Sequence, residues 1–178
     1  MNVFQTLSKT EYKGHLLKVR YVTEGAYDVV VADDGFHFER ITFAQPLEKS
    51  FDDALFADWL ENPIAIGCFA NGELVGAIEG SIESWHNLFR ISNLWVDELF
   101  RRQGLGSELM RRLEERAVAE HGPRGFVLET QSCNLPAIAL YKKMGYSFIG
   151  LDTLAYTNED IERREVRLEL GKTIDSRR

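Results

Sequence analysis

The sequence predicts a mixed α/β fold, a sheet with helices on its faces, and three features carry that prediction. Asp33-Asp34-Gly35 and Asn71-Gly72 each lie between apolar, β-prone runs, the pattern of tight hairpins joining antiparallel strands. Gly104–His121 sets Leu105, Leu109, Leu113 and Ala117 along one stripe, the spacing of an amphipathic helix. That helix lies between two apolar strands, and a strand–helix–strand unit makes its two strands parallel.

The elements follow in order. Leu16–Val22 alternates well enough for a strand, and Tyr27–Ala32 and Phe36–Phe43 form the arms of the first hairpin. Phe51, Leu55, Phe56, Trp59 and Leu60 recur at helical spacing, which predicts a helix over Phe51–Leu60, capped by Ser50 and stopped by Asn62-Pro63. Ile64–Ala70 and Leu74–Trp85 are the arms of the Asn71-Gly72 hairpin, and Phe89–Val96 is the next strand. The Gly104–His121 helix ends at Gly122-Pro123. Phe126–Thr130 is a short strand of the buried kind, and Leu135–Met144 is a helix closed by Gly145. Tyr146–Tyr156 and Glu165–Leu170 complete the pattern as two strands.

No repeat, low-complexity stretch or Pro/Ser-rich linker interrupts the 178 residues, so a single domain over residues 1–178 is expected. Its core spans residues 64–170, and the first 50 residues add strands and a hairpin. The 44% hydrophobic and 28% charged composition excludes a disordered or collagen-like chain. Apolar runs fall far short of a membrane span and Met1–Gln5 has no signal-peptide character, so a cytoplasmic location is expected. Two cysteines, Cys68 and Cys133, are too few for a disulfide framework. The four histidines stand singly, without metal-ligand spacing, and no metal is expected. A net charge of −7 disfavours nucleic acid as a partner; it would attract a cationic substrate, although solubility alone accounts for acidity of this size.

The chemistry concentrates in one stretch, where the strand Leu94-Trp95-Val96 runs through Arg101-Arg102-Gln103-Gly104-Leu105-Gly106-Ser107 into a helix. A helix N-terminus carries unpaired N–H groups and the positive end of the dipole. Glycines let an anion approach those groups, and Arg101 and Arg102 add positive charge in an acidic chain. A diphosphate suits such a turn. The spacing matches neither a P-loop nor a complete Gly-x-Gly-x-x-Gly.

Arg101-Arg102-Gln103-Gly104-Leu105-Gly106 resembles the acetyl-CoA signature of the GNAT family of N-acetyltransferases, Gln/Arg-x-x-Gly-x-Gly/Ala. A second block, Asn134 through Tyr146, is similar to the family's Asn-x-x-Ala-x-x-x-Tyr-x-x-x-Gly-Phe/Tyr segment. The resemblance covers roughly Ile64 to Leu170. It implies a mostly antiparallel central sheet with helices on both faces, and direct acetyl transfer from acetyl-CoA to an amine. It implies that Leu94, Trp95 and Val96 bind the pantetheine arm through their backbone. Arg101, Arg102, Gln103, Gly104, Leu105, Gly106 and Ser107 would form the pyrophosphate turn, and Asn134 would bond to the CoA arm. Tyr141 would serve as the acid beside the sulfur. The frequent dimers of the family add a homodimer to the expectations.

The base is open between several carboxylates and a water chain. Glu129 interrupts the apolar run Phe126–Thr130, where a charge is costly unless used or paired, and it precedes Tyr141 by twelve residues. The same spacing occurs in the ribosomal-protein alanine acetyltransferase branch, where the two residues are base and acid. Glu79 and Glu83 are rivals, either as base or as contacts for a cationic acceptor, or they form a wet sheet face. Cys133 lacks an activating histidine in the sequence and reads as a passive thiol.

Leu128-Glu129-Thr130-Gln131-Ser132-Cys133-Asn134 is similar to the streptothricin acetyltransferase branch, as are Trp85-His86-Asn87 and Phe148–Tyr156, although His86 departs from its pattern. That likeness implies the β-lysine amine of streptothricin as acceptor. A protein N-terminal or lysine acetyltransferase and a non-catalytic acetyl-CoA-binding module are the alternatives.

Overall fold

The computed structural model describes residues 2–174. The chain begins with β1 (Val3–Thr6), α1 (Lys9–Tyr12) and two long strands, β2 (Leu16–Ala32) and β3 (Gly35–Ala54). Three antiparallel strands follow, β4 (Ile64–Ala70), β5 (Glu73–Glu83) and β6 (Leu88–Val96), then a 3-10 turn at Glu98–Phe100 and α2 (Leu105–His121). The C-terminal part is β7 (Gly125–Gln131), α3 (Leu135–Lys143), β8 (Ser147–Asp152), α4 (Asp160–Arg163) and β9 (Arg167–Thr173).

The chain falls into two compact units. The first holds the residues up to Val19, Phe51–Leu128 and the stretch from Lys172, and the second holds Arg20–Ser50 and Glu129–Gly171. In the first unit the strands lie in the order β1-β4-β5-β6-β7. All are antiparallel except β6 and β7, which pair in parallel through Phe89↔Phe126, Arg90↔Val127 and Ile91↔Leu128. The α2 crossover explains that exception, because only a long connection joins parallel neighbours. Its stripe of Leu105, Leu109, Leu113 and Ala117, joined by Met110, is buried, and α2 lies against β4, β5 and β6. A second cluster gathers Leu7, Leu17, Leu55, Phe56, Ala65 and Ala77, with Trp95 packed on it.

In the second unit β8 pairs antiparallel with β9, and β2 pairs with β3 as a two-stranded sheet. Ile138 and Tyr141 are the buried residues of α3. The mixed, mostly antiparallel α/β class and the Asn71-Gly72 hairpin are as the sequence predicts. No helix among the described residues is long and apolar enough to cross a membrane.

Several elements differ from expectation. The predicted helix over Phe51–Leu60 is absent: β3 runs on through Ala54, and Leu55 and Phe56 lie in a turn, with Phe56 in left-handed backbone (φ 59°). Its apolar residues face different ways, since Leu55, Phe56 and Leu60 are buried while Phe51 and Trp59 are exposed. The helical spacing was therefore coincidental, and Ser50 is a strand residue rather than a cap. Likewise the strand expected over Tyr146–Tyr156 ends at Asp152, because the Asp160 carboxylate accepts the N–H groups of Tyr156 (2.9 Å) and Thr157 (2.7 Å) and holds a turn there.

Strand β2 runs unbroken through Thr23–Ala26 because Gly25 admits the opposite strand closely. A Cβ placed on Gly25 would stand 2.1 Å from the Ile41 carbonyl oxygen, on backbone that has no flexible end to move. Gly25→Ala is expected to lower unfolding free energy by about 1–3 kcal/mol, the usual cost of forced overpacking, as read from urea denaturation.

Candidate active site

The turn between β6 and α2 leaves the first N–H groups of the helix without a side-chain cap. Gly104 is the N-cap of α2 and takes left-handed backbone (φ 85°); having no side chain, it places no capping group on the helix N–H donors. Arg102, also left-handed (φ 62°), and Gln103 are exposed, while Leu105 is buried and anchors the helix start. Gly106 and Ser107 continue the first turn, part-exposed. Arg101 folds back: its Nε donates to the Val96 carbonyl at 2.9 Å and ties the turn to the end of β6. Gln103 Nε2 likewise donates to the Leu99 carbonyl (3.2 Å). The turn's charge facing solvent therefore rests with Arg102 and the helix dipole.

Leu94, Trp95 and Val96 form the end of β6, paired on one side with Ile78, Ala77 and Gly76 of β5. The register slips just before them. Glu79 opposes Asn93 and Gly80 opposes Ile91, so Ser92 is the extra residue of a β-bulge, which bends a strand locally. The Trp95 indole N–H donates to the Lys18 carbonyl at 2.9 Å, so this side chain serves packing.

In the second unit, Asn134 caps α3, its side-chain oxygen accepting the Ala137 N–H (3.3 Å), which leaves its amide hydrogens for another partner. Tyr141, further along α3, is 9% exposed, and burial pushes its phenol up to about 12. Cys133 is fully buried and shares a hydrogen bond with the Tyr21 hydroxyl (3.3 Å), which in turn donates to Gln131 (2.7 Å). Burial pushes the thiol up, away from the thiolate a nucleophile needs.

The three candidate carboxylates part company. Glu129 turns outward near the end of β7, exposed, and pairs with Arg167 Nε (3.2 Å); the same guanidinium also donates to Glu169 (2.8 Å). Tyr156 is close enough to feel it: burial raises the Tyr156 phenol first, and the negative charge of Glu129 raises it further. Glu83 pairs with Arg90 (2.6 Å) and with His86 (3.2 Å). Glu79 is 0% exposed, accepting the Phe56 N–H (2.7 Å) and the Asn93 amide (3.1 Å). Such a carboxylate has no open side for an acceptor, so the expected contact role gives way to a structural one. Burial holds its carboxyl above the usual range, partly offset by those two bonds. Sequence reasoning missed Asn93, Tyr156 and Arg167. Of these only Asn93, a polar residue in the run Ile91–Val96, carried a signal of the kind that singled out Glu129.

The match to the acetyltransferase (GNAT) family model spans residues 33–146. The chain belongs to the GNAT family. Streptothricin acetyltransferase of Streptomyces lavendulae is 31% identical to this GNAT enzyme over 146 residues, 76% of each chain. The streptothricin acetyltransferase of Escherichia coli is 30% identical over 138 residues, 76% of this chain and 75% of its own. The crystal structure of nourseothricin acetyltransferase superposes with a TM-score of 0.80 at 25% identity, covering 97% of this chain and 98% of that one. The GNAT assignment makes the protein an acetyl-CoA-dependent N-acetyltransferase, and the uncapped, glycine-started α2 fits the pyrophosphate of that cosubstrate.

Alkaline titration tests the state of Tyr141. The ultraviolet difference between the parent protein and Tyr141→Phe is expected to show a phenolate with a midpoint near 12, against about 10 for a free tyrosine. A raised folded pKa contributes stability that is fully present below the unfolded value and is lost as pH rises through the folded one. The stability difference between the two proteins therefore shrinks across that alkaline window.

Proposed function

We propose that this GNAT enzyme acetylates a small cationic amine of the streptothricin type, at the β-lysine amino group. The observation that carries the reading is the likeness to streptothricin acetyltransferases, which extends along three quarters of the chain in sequence and nearly all of it in fold. The net charge of −7 and the outward carboxylate of Glu129 suit an acceptor rich in ammonium groups.

In this reading the α2 turn from Arg102 to Ser107 holds the pyrophosphate with backbone N–H groups, and Leu94–Val96 offer their backbone to the pantetheine arm. Asn134, with its oxygen spent on the helix cap, donates its amide hydrogens to the same arm. The acceptor must lose a proton before its nitrogen can attack the thioester carbonyl carbon. Glu129 takes that proton, and Arg167 keeps the carboxylate oriented. The new C–N bond forms as the C–S bond breaks, and the nitrogen's second proton passes by way of solvent to the departing sulfur, giving an acetamide and the CoA thiol.

Burial makes Tyr141 a weaker acid than a free phenol, while an ordinary thiol ionises near 8.5. Outright proton transfer from Tyr141 to the thiolate is therefore uphill. Tyr141 acts by donating a hydrogen bond to the sulfur as charge develops, and the raised value keeps that donor protonated throughout the neutral range.

Thiol release from acetyl-CoA measures the reaction, with streptothricin, polyamines, lysine and alanine-starting peptides as acceptors. Release with streptothricin is the expected outcome. Release with peptides alone would move the enzyme to the protein-acetylating branch, and silence with retained acetyl-CoA binding would leave a sensor module. Tyr141→Phe is expected to lower kcat about 100-fold with little change in KM for acetyl-CoA. Glu129→Gln is expected to lower kcat by a similar factor and to restore part of the rate as pH rises toward the amine's own pKa; an unaltered pH profile removes Glu129 from the base role.

A further inference from the structure

Glu79 makes contacts to both sides of the β6 bulge. Its carboxylate accepts the Phe56 N–H (2.7 Å) and the Asn93 amide (3.1 Å), and its backbone carbonyl accepts the Ser92 hydroxyl (3.3 Å). Asn93 Nδ2 also reaches the Ala54 carbonyl (3.5 Å), so the bulge and the 54–56 turn are laced together through one amide. Phe56 holds left-handed backbone at φ 59°, a conformation a bulky residue keeps only when its surroundings impose it. Leu55 and Phe56 then belong to the apolar cluster on which Trp95 packs. The segment Leu94–Val96 is thus fixed twice, at its start by the Asn93 amide and at its middle by a turn that the same carboxylate pins.

We propose that Glu79 is a positioning residue for acetyl-CoA binding, acting through Asn93 and the Leu55–Phe56 turn to set the bend and the backbone presentation of Leu94–Val96. It touches no substrate. Both groups facing the carboxylate are donors, and its two oxygens take one each. In Glu79→Gln one oxygen becomes an NH₂ donor: with the new oxygen on Phe56, the bond to Asn93 survives only if that amide turns over, which gives up its donation to the Ala54 carbonyl. The inference rests on the proposed use of Leu94–Val96 by the pantetheine arm.

The experiment compares the parent protein with Glu79→Gln and, in case that variant fails to fold, Asn93→Ala. Calorimetry measures two ligands at a temperature where each variant is folded by circular dichroism: acetyl-CoA, and its nucleotide fragment 3′-phospho-ADP, which has no pantetheine arm. Acetyl-CoA affinity is expected to fall about tenfold while 3′-phospho-ADP affinity stays within about twofold of the parent. Amide hydrogen exchange is expected to quicken in both Ser92–Val96 and Leu55–Phe56. Equal weakening of both ligands marks a merely structural role and overturns the inference, as does unchanged acetyl-CoA affinity in a folded variant. A parent protein that fails to bind acetyl-CoA would instead sink the functional reading, and this inference with it.

Discussion

A carboxylate withdrawn from water is among the costlier groups a small fold can carry, and it persists only where several donors converge on it. In the first unit that group is Glu79. Its two oxygens and its carbonyl meet a turn and a bulged strand that arrive from two separate stretches of sequence. The Phe56 N–H bonds to the carboxylate rather than to a neighbouring strand, and the bulge at Ser92 breaks the ladder that would hold β6. Each of these irregular features is compensated by the others, with the carboxylate as their common member. Regular elements such as α2 supply the bulk of the apolar burial around them.

The turn at the start of α2 works by the opposite principle. Where Glu79 is saturated with partners, Gly104 brings none, and the first N–H groups of a 17-residue helix are left for an external anion. Arg101 and Gln103 spend their side chains on the Val96 and Leu99 carbonyls, shaping the turn instead of reaching out from it. A family signature read as a row of ligands therefore divides, in the folded chain, into Arg101 and Gln103, whose side chains tie the turn together, and Arg102, which stands exposed. Tyr141 and Asn134 divide likewise: one is kept protonated by burial, the other has one end committed to a helix cap.

Local signals were legible in the sequence because the physics behind them is local. Asn71-Gly72 makes a hairpin from its own backbone preferences, and Leu105, Leu109, Leu113 and Ala117 make a helix face from spacing alone. The helix starts at Gly104 and Asn134 were legible for the same reason. The Phe51–Leu60 segment was not, since its bonds reach residues distant in sequence, Gly14 and His15 from Leu55 and Glu79, 23 residues on, from Phe56, which no window of spacing contains. The roles of Glu79 and Glu129 were hidden in the same way. Both are glutamates in apolar strands, and only the third dimension shows one enclosed and the other turned out toward Arg167.

The long hairpin of β2 and β3 has a further consequence. At its base, the Gly14 N–H donates to the Leu55 carbonyl (2.9 Å) and the Leu55 N–H to the His15 carbonyl (3.1 Å). The chain therefore leaves the first unit and returns to it at one point, as it would around an inserted segment. Closing a longer excursion costs little, about 0.6 kcal/mol for each doubling of its length. Residues can be gained or lost at the exposed Asp33-Asp34 tip, whereas nearer the clasp the buried Leu17, the Lys18 carbonyl bonded to Trp95 and the close approach at Gly25 fix the register, so tolerance of changes in length is confined to the far end of this hairpin.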